Sequence, residues 1–166
     1  MTDVKRLFDF PYYQLKHKPN NACLVTKSNG KWVKTSTQDY INKANAVSRA
    51  LLRMGVEKND KIALISSTNR TEWNIMDIGI LQIGAQNIPI YPTISAEDYE
   101  YVLNHSESTY CFVSDKEVLE KVRQVMAQTK VKEVYSFDEI DGCKHYSELF
   151  ELGFDEGNQQ TVEDRK

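Results

Sequence analysis

The chain has 166 residues, 40% hydrophobic and 27% charged, which suits one compact domain with its own core and is too short for two. Its formal net charge is −3, with Lys and Arg spread along the chain among 24 acidic residues, a balance that argues against a nucleic-acid binder. Cys23, Cys111 and Cys143 fall at no metal-ligand spacing and read as free thiols of a cytoplasmic protein, and the most apolar stretch, 73–85, is too short and too interrupted to span a bilayer.

In chain order, the first elements are two short strands, 24–26 and 32–35, around Ser28-Asn29-Gly30. Asn-Gly is a strong hairpin signal, because both residues tolerate the positive φ of a type I′ turn. A helix is predicted over 37–54, where Tyr40, Ala44, Val47, Leu51 and Met54 form one apolar stripe, and Gly55 supplies a left-handed stop. The apolar run 61–66 reads as a buried strand. A well-buried helix follows over 70–84, with Trp73, Met76, Ile80 and Leu81 on its core side, so Trp73 is expected to be core rather than a ligand platform.

Residues 87–91 read as the next strand, and Pro89 argues against a central place for it. Ser95 and Asp98 have the spacing of a helix cap ahead of Tyr99, Val102 and Leu103. A strand at 110–113, a helix over 116–128 and a strand over 131–137 complete the alternation. The fold class expected is α/β, three-layered, with a mainly parallel sheet flanked by helices and preceded by a β-hairpin and a long helix. Residues 1–154 are read as domain, and the polar stretch 155–166 as a frayed tail.

Few residues carry chemistry. Gly79 and Gly84 have the outer spacing of a phosphate loop but sit in an apolar helical pattern, where helix packing explains them. Cys143 and His145 lack a second pair at zinc spacing; His17 and His105 are isolated; Glu97, Asp98 and Glu100 suit a helix start. Asp77 is read as the narrow solvent side of its helix rather than a functional carboxylate. The more interesting set lies where strands end: Ser66, Ser67, Thr68 and Asn69; Tyr91, Pro92 and Thr93; Ser114 and Asp115. Ligands of open parallel sheets bind at that edge, although small polar residues also serve there as turns and caps.

Three segments, in order, resemble the adenylate-forming superfamily and within it the long-chain fatty-acyl-CoA synthetases. Ala50-Leu51-Leu52-Arg53-Met54-Gly55-Val56, followed by Asp60-Lys61-Ile62-Ala63-Leu64, is similar to the family's A-x-x-L-x-x-x-G-V-x-x-G-D-x-V-A-I, with Asn59 where Gly is usual. Ser67-Thr68-Asn69-Arg70-Thr71-Glu72-Trp73 resembles S-x-N-R-x-E-W, and the stretch from Gly84-Ala85 to Tyr91-Pro92-Thr93 resembles G-A-x-x-V-P-x-Y-x-T.

The resemblance implies an early part of the large N-terminal domain of an enzyme that activates a fatty acid with ATP and passes the acyl group to coenzyme A. It implies ATP, Mg²⁺ and CoA for the complete enzyme. It implies no catalytic, cofactor-binding or metal residue here, since the family's phosphate loop, magnesium Glu, ribose Asp and adenylation Lys lie further along. The expectation is therefore an inactive N-terminal fragment, prone to self-association through uncovered apolar surface. On the residues alone, a stand-alone nucleotide- or small-molecule-binding module and a structural or interaction domain are alternatives.

Overall fold

The computed structural model describes residues 4–28 and 30–166. Strands β1 (Leu24–Ser28) and β2 (Lys31–Thr35) pair antiparallel. Of the expected Asn-Gly turn, Asn29 lies outside the described residues, while Gly30 has φ 76°, the left-handed region that glycine enters without steric cost. Ahead of the hairpin stands a helix the sequence reading lacked, α1 (Asp9–His17). The Asp9 carboxylate closes its start by accepting from the Lys5 and Arg6 backbone N–H groups.

Helix α2 (Thr37–Arg53) begins at Ser36, whose hydroxyl accepts from Asp39 N–H at 3.0 Å. Its stripe faces the core as expected, with Ala44, Val47 and Leu51 fully buried. There follow β3 (Lys61–Ile65), α3 (Thr71–Gln82), β4 (Gln86–Ile90), α4 (Ala96–Ser106), β5 (Tyr110–Val113), α5 (Lys116–Val125) and β6 (Glu133–Ser136). Ser95 and Asp98 form the expected reciprocal cap of α4. Gly84, expected inside a helix, instead lies two residues past the end of α3 at φ 75°.

With the short strand β7 (Lys144–His145), the five-stranded sheet runs β4-β3-β5-β6-β7, every neighbouring pair parallel. β4 is an edge strand, as Pro89 suggested. Gln86 donates its N–H toward β3, to Asp60 O, so in the alternating pleat the Asn87 and Pro89 nitrogens face the open edge, where a missing N–H breaks no ladder bond.

Alternation along the strands splits the core in two. On one face Ile62, Leu64, Phe112, Tyr135 and Phe137 pack with α2 and α3; on the other Ala63, Ile65, Cys111, Val113 and Val134 pack with α4 and α5. This is the three-layer arrangement that buries a parallel sheet on both faces.

The C-terminal end departs from expectation. β7 (Lys144–His145), α6 (Glu148–Leu152) and α7 (Gln159–Arg165) were not foreseen, and in place of a frayed tail α7 docks on the α2–α3 layer. A single apolar residue, Val162, is fully buried there, and polar reach does the rest. Arg49 donates to Gln159 Oε1 at 2.6 Å and Arg165 donates to Glu57 Oε2 at 2.8 Å. A window with one core residue shows no periodicity, so its docking was invisible locally.

Candidate functional site

Four adjacent strands end on one line: Ile90, Ile65, Val113 and Ser136 are register partners across β4, β3, β5 and β6. The residues just beyond them therefore emerge side by side at the carboxyl edge, the side on which open parallel sheets bind ligands.

Two clusters form there. In the first, the buried Ser114 hydroxyl accepts from Ser67 N–H at 2.9 Å and donates to Asp115 Oδ2 at 2.5 Å, while Asp115 Oδ1 caps α5 by accepting from Val118 N–H at 3.1 Å. Burial pushes the Asp115 carboxyl up, but these hydrogen bonds outweigh it and hold the group below the usual carboxylate range. Arg70 joins this cluster to β6. Its guanidinium donates to Ser114 O at 3.0 Å, to Asp138 Oδ1 at 2.7 Å and to Glu72 Oε1 at 3.1 Å, and lies over the Phe137 ring at 5.6 Å. In the second cluster, Pro92 O accepts from Tyr99 Oη at 3.0 Å and Lys121 Nζ at 3.3 Å, which ties the 91–93 loop to α4 and α5. The strand-end set thus divides: 66–69 and 114–115 come together through Arg70, and 91–93 stand apart, with Tyr91 80% exposed.

Beside the first cluster is a cavity of about 360 Å³ lined by Ser66, Thr68, Asn69, Arg70, Trp73 and Asn74. Trp73, expected to be core, is half-buried: it packs against the core on one side and lines this cavity on the other. The correction has a geometric cause. Trp73 is in the first turn of α3, where the helix passes the ends of the strands and only part of the ring finds sheet beneath it. Arg70, Phe137 and Asp138 were absent from the strand-end set read from the sequence. An Arg two residues before a Glu was its only local signal, since the other partners lie 44 to 68 residues away.

The remaining candidates are structural. His145 is bound by its neighbours, Nε2 to Phe137 O at 2.9 Å and Nδ1 to Ser147 Oγ at 2.7 Å, while the Cys143 thiol lies against Val134 O and Lys144 O; the two do not pair. His17 packs on Tyr13 and His105 stacks on Tyr101. Asp98 belongs to the α4 cap. Gly79 is a close-approach residue: a Cβ there would come within 2.5 Å of Val47 Cγ1. Asp77 is half-buried rather than solvent-facing, and accepts from Asn87 Nδ2 at 2.7 Å. Among the described residues no three His, Cys, Asp or Glu side chains converge on a possible metal position.

Chemically, the edge offers hydroxyl and amide groups and two cations already paired, Arg70 with Glu72 and Asp138 and Lys121 with Glu117. Such a set orients a polar ligand.

Comparison with known proteins matches residues 12–164 to the family model of the AMP-binding enzyme. A long-chain-fatty-acid–CoA ligase of Mycobacterium bovis is 37% identical over 83 residues, 50% of this chain and 14% of that protein. Fatty acyl-CoA synthetase A of Dictyostelium discoideum is 33% identical over 110 residues, 66% of this chain and 16% of that protein. The chain therefore spans a small share of the length of the curated relatives it matches. Among solved structures, a long-chain-fatty-acid–CoA ligase of Archaeoglobus fulgidus superposes with a TM-score of 0.73 at 20% identity, over 89% of this chain and 30% of that one. An anthranilate CoA ligase does so with a TM-score of 0.77, at 20% identity, over 91% and 28%.

Proposed function

The chain belongs to the AMP-binding enzyme family, and from that premise we propose that it forms the early part of the large domain of a long-chain fatty-acyl-CoA ligase. The match over residues 12–164 carries this reading, since it covers the hairpin, both helical layers and the whole parallel sheet. The names of the curated relatives supply the substrate class. In the complete enzyme a fatty acid, ATP with Mg²⁺, and CoA would be the reactants.

The residues present do not by themselves fit the nucleotide. Gly79 serves helix contact and Gly84 a turn, so neither opens a phosphate cradle, and the edge cation Arg70 is neutralised by two carboxylates. No step of the reaction is assigned to them. Their contribution is architectural: they set the line of strand ends and hold the loops that border one side of the substrate edge.

The test is a chimaera. The chain replaces the matching segment of the Mycobacterium bovis ligase, and fatty-acid-dependent ATP–pyrophosphate exchange and thioester formation are measured for the chimaera and for the chain alone. The expected result is exchange by the chimaera and none by the chain alone. Exchange by the chain alone, or a folded chimaera without activity, overturns the proposal.

A further inference from the structure

The basic residues are spread along the chain, yet their balance with acids is uneven: residues 1–35 carry seven Lys and Arg against two Asp, in a chain with 21 and 24 overall. Three of these seven, Lys27, Lys31 and Lys34, sit on the β1–β2 hairpin. A local excess of one sign in a chain of opposite net charge marks a surface for an oppositely charged partner.

The register gives the hairpin two faces. Cross-strand partners share a face and successive residues alternate, so Val25, Lys27, Trp32 and Lys34 lie on one side and Leu24, Thr26, Ser28, Lys31, Val33 and Thr35 on the other. The second side meets the domain at Thr26 and Thr35, and toward the turn it is exposed: Thr26 Oγ1 is 2.6 Å from Thr71 Oγ1 and accepts from Thr71 N–H at 3.0 Å, and Thr35 is buried. The first side is turned outward. Trp32 is 67% exposed and Val25 44%, and the contact found for the Trp32 ring is the ammonium of Lys27, 5.9 Å from its centroid. Among the described residues, the ion pairs leave out Lys27, Lys31 and Lys34.

An exposed indole and a valine beside two lysine ammonium groups combine apolar surface with positive charge. They are matched to the boundary of an anionic bilayer. There Trp sits at the headgroup level and lysine stems extend to the phosphates. Among the described residues no helix is long and apolar enough to cross a membrane, and a two-stranded hairpin face can meet only its surface. We propose that the outward face of the β1–β2 hairpin is a docking surface for anionic lipid membranes, with Trp32 as the interfacial anchor and Lys27 and Lys34 as the electrostatic contact. The inference rests on the hairpin alone and does not depend on the ligase reading.

The test is co-sedimentation of the full chain with phosphatidylcholine vesicles, with and without phosphatidylserine. Binding is expected with the anionic vesicles, released by raised salt, and accompanied by a blue shift and bromolipid quenching of Trp32 emission. At roughly fivefold per lysine near an anionic surface, Lys27→Gln/Lys34→Gln should weaken binding on the order of twenty-five-fold. Trp32→Ala should weaken it on both vesicle types. Both variants change outward side chains, and circular dichroism checks that they fold. No binding by the folded parent overturns the proposal, as does binding that loses less than about fivefold in the double lysine variant. A parent that forms a dimer broken by Trp32→Ala, without vesicle binding, assigns the face to a second copy instead and overturns it equally.

Discussion

Asp77 illustrates how burial acts on a single residue. Burial raises its carboxyl above the usual carboxylate range, against one compensating hydrogen bond from Asn87, whose own Oδ1 is buried with no partner among the described residues. The folded chain thus binds this proton more tightly than the unfolded chain does. The Asp77 contribution favours folding below the unfolded carboxylate pKa and is lost as pH rises through the raised folded value. Asp77→Asn keeps an acceptor for Asn87 and removes the charge. It is expected to raise the urea midpoint at neutral pH, with the gain vanishing in acid; an equal gain at both would show the charge is irrelevant. Trp73 is the second case. With its ring shared between core and cavity, Trp73→Ala is expected to cost about 2 kcal/mol, below the 3–5 typical of a fully enclosed aromatic. Chemical denaturation measures this, and a loss at the upper end would mean the ring is effectively core.

At the scale of elements, α2 and α3 meet in a close approach made possible by Gly79. A Cβ there would be 2.5 Å from Val47 Cγ1, 2.8 Å from Val47 Cβ and 3.0 Å from Ala44 O. Alanine is favoured over glycine in a helix by about 1 kcal/mol, while overpacking a fixed neighbour costs about 1–3 kcal/mol. Val47 is fully buried and has nowhere to move, so the clash wins. Gly79→Ala should destabilise the chain by about 1–2 kcal/mol. Val47→Ala in the same chain should recover part of that, a coupling a double-mutant cycle reads directly. Additive losses would mean the two helices do not meet as described.

For the whole molecule, the question is what covers its remaining apolar surface. We propose that the isolated chain self-associates, through side chains more than through strand edges. β7 has only two residues, and on β4 the outward nitrogen of Pro89 carries no hydrogen, so both edges make poor templates for a further strand. Leu7, Phe10, Trp32 and Phe154, in contrast, are each more than half exposed. Light scattering is expected to show a mass that grows with concentration. Pro89→Val, which restores an N–H at the open edge, should steepen that growth. A monomeric mass throughout the range would refute the proposal.

The sequence by itself determined the order and type of most elements, the parallel alternation, the α4 cap and the edge position of β4. Each of these follows from rules that act over a few residues: periodicity, a capping side chain, a proline without its N–H. Tertiary structure alone decided how deep a residue sits and what it meets. Trp73 and Asp77 are on the helix that the pattern predicts, but their half-burial depends on where α3 passes the strand ends and on Asn87 across the α3–β4 turn. The Arg70 cluster is assembled from loops up to 68 residues apart, and α7 is held by one buried valine and by Arg49 and Glu57, each more than a hundred residues from its partner. No local window contains those partners, because the parallel sheet, by aligning its strand ends, is what brings the loops together.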